Sequence, residues 1–240
     1  MKIVFITSLF GTGRGNLPGR FKRIDGHDYF LFSDQEQEDF DTDWDVYNIS
    51  DNPKLSNING NIRKSRYAKF MGWELLDSMG VYYDCIYYCD VHWSPRADVD
   101  WTHVSNTFIS EPYPFLQTKH HVCHKYGISF ECSLILSNGR DSKDNIAKTL
   151  LFFVTKFPEI SLAAGQYFEN TMFGYFPNPE VKKITRDFWR IYNEYDITYR
   201  DQPLWNLLLL QWKFTPQTKP RLRGKFERSG KYGDHKYVKH

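Results

Sequence analysis

An aspartate and a histidine two positions apart, Asp90 and His92, close the apolar run Ile86-Tyr87-Tyr88-Cys89. The run is short, aromatic and β-leaning, which reads as a buried strand whose polar end marks the exit from a sheet. In open α/β sheets, ligands collect just beyond the carboxyl ends of strands. Side chains two apart in extended chain point the same way, so this carboxylate and imidazole have the chemistry to hold one cation. The plainer reading is a turn or a helix cap. A second group is cationic: Arg63, Lys64, Arg66 and Lys69 crowd the start of a periodic apolar segment. They form either a solvated basic face or a surface for an anion. A third group, Lys119, His120, His121 and His124, reads as polar surface, because no carboxylate lies at metal-ligand spacing.

Such residues need a scaffold. Lys2 to Leu9 reads as a strand that enters the loop Gly11-Thr12-Gly13-Arg14-Gly15-Asn16. That loop lacks the dinucleotide-binding spacing and the Gly-Lys-Ser/Thr of a P-loop. Asp28 to Ser33 is a second strand, ending at Asp34, and Trp44 to Ile49 a third. Asn61 to Met79 has near-helical period, with Gly80 as its stop. After the strand ending at Asp90, Asn106 to Ser110 is read as a strand and Phe115 to Leu136 as a helix broken near Gly127. Asp141 to Phe157 is a helix capped by Asp141 or Ser142 and ended by Pro158. Phe168 to Phe176 reads as a strand and Pro179 to Tyr195 as an amphipathic helix. Asp201 to Trp212 is the last helix, with Asp201 as N-cap, worth about 1 kcal/mol, and Pro203 near its first turn. Strands alternating with helices argue an α/β fold with a mixed, mostly parallel central sheet. Residues 1–214 are expected as a single domain and 215–240 as a basic tail.

The 240 residues suffice for a substantial core. A net charge of +2 speaks against nucleic acid as the partner. Aromatic residues make up 18% of the chain, which suits stacking on sugars or bases as well as core packing. The four cysteines form no CxxC pair and are expected as buried, reduced thiols in a cytoplasmic protein. No apolar run reaches transmembrane length. The basic tail leaves peripheral contact with an anionic surface open.

The ordered set MKIVFITSLFG, DYFLFSD, NIRKSRYAKF, IYYCDVHW, Phe168-Glu169-Asn170-Thr171, Phe188-Trp189 and Arg200-Asp201-Gln202 resembles a glycosyltransferase-like family of the GT-A fold, found in plants and microbes. The resemblance spans most of residues 1–212. Locally, Asp201-Gln202-Pro203-Leu204-Trp205-Asn206 is similar to the helix start of glycogenin-like retaining transferases, in which a C-terminal histidine completes a metal site and a lysine binds diphosphate. Here Gly233-Asp234-His235-Lys236 is similar in type.

The resemblance implies a GT-A-like domain moving a sugar from a nucleotide-diphosphate donor, UDP-sugar foremost, to a glycan or other hydroxyl acceptor. It implies donor contacts at Thr7, Leu9, Phe10, Asp34, Arg63, Arg66, Lys69, Asp90 and Lys236. Metal ligands would come from Asp90, His92 and His235. Glu169, Asp201 and Gln202 would serve the acceptor and the sugar, one carboxylate as base in an inverting reaction. The group of Lys119, His120, His121 and His124 would then lie on the acceptor side. An imidazole at position 92, where the family's pattern favours aspartate, suits Mn²⁺ over Mg²⁺. Alternatively Asp90 works with water and His235, or the site needs no metal. A metal-dependent hydrolase, or a non-catalytic nucleotide- or carbohydrate-binding module, are the competing functions.

Overall fold

The β-branched and aromatic run near the N-terminus forms β1 (Ile3–Leu9), buried almost throughout. In the computed structural model, which describes residues 1–11, 15–163, 165–195 and 197–231, it is followed by β2 (Asp28–Ser33) and β3 (Asp45–Asn48). Next come α1 (Asn61–Phe70), α2 (Gly72–Ser78), β4 (Cys85–Cys89), β5 (Trp93–Pro95), α3 (Trp101–Asn106) and β6 (Phe115–Lys119). The chain continues through α4 (Cys123–Ser137), α5 (Lys143–Lys156), β7 (Phe168–Tyr175), α6 (Pro179–Glu194), α7 (Asp201–Gln211) and β8 (Phe226–Arg228). Six strands form one sheet in the order β3-β2-β1-β4-β7-β6, and β5 and β8 form a separate antiparallel pair. β3, β2, β1 and β4 run parallel, and β7 is antiparallel to β4. The mixed, mostly parallel sheet flanked by helices is the architecture expected from the sequence.

Several elements differ from expectation for local reasons. The single helix over Asn61 to Met79 is two helices, broken at Met71. Gly72 lies so close to Ile6 that a Cβ would strike that side chain, so the second helix starts where the chain passes over β1. The strand expected at Asn106 to Ser110 is instead the end of α3 and a turn; Asp100 caps α3 by accepting from the His103 amide at 2.9 Å. The helix expected from Phe115 begins at Cys123, and its first five residues are β6. Gly127 does break it, at φ 77°, where a Cβ would meet the backbone of Leu162 and Ala163. Ser142, one of the two expected caps, holds the start of α5 through the Asn145 amide at 3.1 Å.

Of the described residues, 1–117, 171–186 and 216–231 make one compact unit, and 118–170 with 187–215 a second. The division falls within β6, β7 and α6. The first unit's core packs Phe5 against Tyr29, Tyr87 and Trp101, with Phe226 closing on Trp101 at 5.1 Å between ring centroids. In the second, α4 contacts α5 and α7, and Phe188 sets its ring edge-on to Trp205. Among the described residues, no helix is long and apolar enough to cross a membrane.

Candidate functional site

Strand order points to one end of the sheet before any side chain is considered. From β1 the chain moves outward through β2 and β3, then returns to the opposite side of β1 for β4. The order reverses between β1 and β4, and in open α/β sheets ligands bind beyond the carboxyl ends of the strands at such a reversal. Phe10 and Gly11 follow β1 there, and Asp90 follows β4. Tyr88, two residues earlier and so on the same face, donates its hydroxyl to Asp90 Oδ1 at 3.0 Å. Lys69, on the last turn of α1, brings Nζ to 3.7 Å from the same oxygen. The Lys69 side chain is 2% exposed, whereas that of Asp90 is 32% exposed. The ammonium also lies 4.9 Å from the centre of the Tyr88 ring. Burying an ammonium is costly unless charge and dipoles answer it, and here a carboxylate and a ring face do. Asp90 Oδ2 accepts no hydrogen bond among the described residues.

The other described donor-side candidates also fall within the first unit. Asp34 accepts the Gly11 amide on both oxygens, at 2.9 and 3.1 Å, and so pins the loop after β1. Phe10 is buried, Leu9 half-buried, and Thr7 enclosed within β1 opposite Leu31. Arg63 and Arg66 are half-buried on α1. The extended geometry expected for Asp90 and His92 is not what forms. The chain turns at once, the Trp93 amide donating to the Asp90 carbonyl at 2.9 Å. His92 is buried with its ring 5.8 Å from that of Trp93. Burial lowers its pKa, against the pull of Asp90 and with the push of Arg228, favouring a neutral imidazole. Arg228 itself lies over the Trp93 ring at 5.5 Å. His235 and Lys236 lie outside the described residues.

The second unit gathers the expected carboxylates around the end of β7. Asp201 is 3% exposed and accepts from Asn170 Nδ2 at 2.9 Å. It is not the helix cap expected: Arg200 occupies that position, Asp201 is the first helical residue, and no side chain caps α7. Pro203 falls within the first turn, where backbone N–H groups have no helical acceptor. Gln202 Oε1 takes the Asn170 amide at 3.0 Å, and Asn206 brackets Phe168, accepting its amide at 2.6 Å and donating to its carbonyl at 3.0 Å. Glu169 is 6% exposed and sits 3.7 Å from Nδ1 of the exposed His121.

Sequence reading found no carboxylate partner for the histidine group, and the fold supplies two: Glu169, singled out for another role, and Glu131, on the same helix as Cys123. His120, His121 and Glu169 form one trio of potential metal ligands among the described residues; His120, Cys123 and Glu131 form another. Hydrogen bonding argues against a metal on His120. Its Nδ1 accepts the backbone amides of Val122 and Cys123, at 3.3 and 3.0 Å, which places the proton of a neutral ring on Nε2 and removes that lone pair. Burial and Glu131 push the Cys123 thiol well up, and the protonated sulfur donates to Glu131 Oε2 at 2.9 Å. Also unforeseen was Tyr88, although its two-residue offset from Asp90 was a readable signal.

No family model matches the chain, and no curated protein matches it in sequence. Among solved structures, that of mouse xyloside xylosyltransferase 1 in its apo form is similar. It is 8% identical, with a TM-score of 0.48, covering 90% of this chain and 85% of that chain.

Proposed function

We propose that this protein is a nucleotide-sugar-dependent glycosyltransferase with its donor site at the Asp90 end of β4. The observation that carries the reading is the ammonium of Lys69, buried at 2% exposure and held 3.7 Å from a half-exposed carboxylate at the strand-order reversal. A structural ion pair gains little from burying lysine, since desolvation offsets the attraction. A transferase has a use for it, because a fixed cation stabilises the diphosphate that departs as the sugar bond breaks. Arg63 and Arg66, on the same helix, would share that charge, while the loop pinned by Asp34 would hold the nucleoside through backbone groups.

Neither trio of potential metal ligands among the described residues includes Asp90, so a divalent cation would be held here by Asp90 only together with the bound diphosphate. Oδ1 is held by Tyr88 and Lys69, and Oδ2 is left to ligate, with diphosphate oxygens and water completing the shell. When bound, the ion would neutralise the leaving group as a Lewis acid. Glu169, Asp201 and Gln202 are assigned to the acceptor hydroxyl and the sugar. Asp201 is anchored by Asn170 and Glu169 stands beside the exposed His121, and one of these two carboxylates would take the hydroxyl proton.

The test is a thermal melt with UDP, with and without Mn²⁺, on the wild type and Asp90→Asn. A ligand bound only by the native state raises the melting temperature by mass action. UDP is expected to stabilise the wild type, more so with Mn²⁺, and Asp90→Asn to lose the metal-dependent increment and the turnover of UDP-sugars. If no nucleoside diphosphate stabilises the wild type, the donor-site reading is wrong.

A further inference from the structure

At the other end of the sheet, the first unit carries a groove of about 630 Å³ that the donor site does not use. Asp84, on its wall, immediately precedes β4, and Asp90 immediately follows it. Six residue steps along a strand separate the two by about 20 Å. The groove is built by the Val81–Asp84 connection, the Phe176–Asn178 connection, Ile109 and the chain start. Its size is that of a small-molecule pocket.

Its lining has a particular chemistry. Tyr82 is 73% exposed, the most exposed of the large hydrophobic side chains described, and its hydroxyl is fixed by Asp84 Oδ1 at 2.9 Å. The ring is therefore held in place without being packed. Asp84 Oδ2 is anchored by the Lys2 amide at 2.6 Å, so the carboxylate is positioned too. Tyr83 donates to Asp77 Oδ1, and Lys182 closes on Asp77 Oδ2 at 2.9 Å. Asn178 Oδ1 accepts the Val181 amide at 2.9 Å, leaving a carboxamide NH₂ as donor. The groove thus combines an exposed aromatic plate with carboxylate acceptors, one amide donor and an internally balanced charge. A structural role for the charged residues is already met by these bonds, and it does not explain a pinned, exposed tyrosine or the 43% exposed Ile109 beside it.

We propose that this groove is a glycan-binding site, remote from Asp90, that holds a neutral oligosaccharide. The apolar face of a pyranose stacks on an aromatic ring, and its equatorial hydroxyls pair with carboxylates and amides at the edge. A charged ligand is disfavoured, since the lining charges offset one another: Lys182 pairs with Asp77, and the chain-start ammonium acts on Asp84. From the transferase reading the proposal takes only that the glycan would be an acceptor; binding in the groove stands apart from donor binding.

The experiment is an NMR titration with cellohexaose and, separately, xylohexaose, on the wild type, Tyr82→Ala, Ile109→Ser and Asp90→Asn, each checked for an unchanged melting temperature. Expected is binding of at least one probe by the wild type and Asp90→Asn alike, weakened about tenfold or more by Tyr82→Ala, as for loss of one aromatic contact. Ile109→Ser, on a second lining residue, is expected to weaken it as well. Failure of both probes to bind the wild type, equal binding by Tyr82→Ala, or loss of binding in Asp90→Asn would each overturn the proposal. UDP melts of Tyr82→Ala report on the donor site independently: a retained UDP shift with no glycan binding rejects the groove alone, and glycan binding without any UDP shift rejects the donor reading alone.

Discussion

Lys69 is the residue at which the proposed donor site and a purely structural ion pair predict different outcomes. Its charge is buried, yet its partner Asp90 is not, since that carboxylate keeps a third of its side-chain surface and a hydrogen bond from Tyr88. Removing the ammonium therefore does not strand Asp90 as a buried charge, the circumstance in which breaking an ion pair becomes expensive. Methionine has similar length and can occupy the space between α1 and the Tyr88 ring. Lys69→Met is accordingly expected to change stability by no more than about 1 kcal/mol, in either direction. Donor turnover should fall by about 10²-fold or more, as for loss of a preorganised group at a developing charge. Urea unfolding and steady-state rates on the same preparation measure both. A large loss of stability with little loss of rate would mark Lys69 as structural. The position was legible as one of four basic residues; its burial was not, because helix periodicity does not say how closely a strand's tyrosine approaches.

At the scale of elements, the strands were more legible than the segments that connect them. IVFITSL, DYFLFS and CIYYC are apolar and β-leaning enough to admit one reading, and they became β1, β2 and β4. α3 was missed because Trp-Thr-His-Val-Ser-Asn is rich in weak helix formers; its tertiary setting, with Trp101 and Val104 buried, overrides propensity. β6 was misread as helix because Phe115 to Lys119 borrowed the period of the true helix behind it. The pairing of β4 with β7 adds a constraint that no local pattern holds. Gly174 faces Tyr87 across the two strands, and a Cβ there would enter the tyrosine ring. That ring cannot retreat, being packed on Phe5 and Trp101, with its hydroxyl 2.9 Å from that of Ser105. Gly174→Ala is expected to destabilise by about 1–3 kcal/mol, the range for overpacking a filled core. Gly72→Ala makes a similarly close approach, but to the tip of Ile6, a side chain able to change rotamer, so it should cost less. Chemical denaturation of the two variants checks the order; equal losses would contradict the account.

Across the whole molecule, the chain's last described stretch shows what composition conceals. From Thr215 onward the sequence is basic and poor in apolar residues, and it was read as a tail. Its few apolar residues are nevertheless placed: Leu222 and Phe226 are buried in the first unit's core, Phe226 against Trp101. β8 then pairs with β5, the amides of Ser229 and Gly230 converge on the His92 carbonyl at 3.3 Å, and Lys231 exchanges two backbone bonds with Leu17. Gly230 has to be glycine, because a Cβ would collide with the Leu17 carbonyl. Two buried side chains and a ladder of backbone bonds were invisible because each depends on a partner more than a hundred residues away. This stretch braces the turn that carries Asp90 into His92, so stability and donor binding should fall together when it is lost. A chain ending at Lys225 is expected to melt well below the full chain and to show a diminished UDP shift. Phe226→Ala, which empties a core position but leaves the strand pairing, should cost about 3–5 kcal/mol. Because that substitution removes no group near Asp90, its UDP shift should persist at temperatures where the variant is folded. Melting curves of the three proteins with and without UDP decide the matter; a shortened chain that melts like the full one would mean that β8 is an accessory to the unit rather than part of its frame.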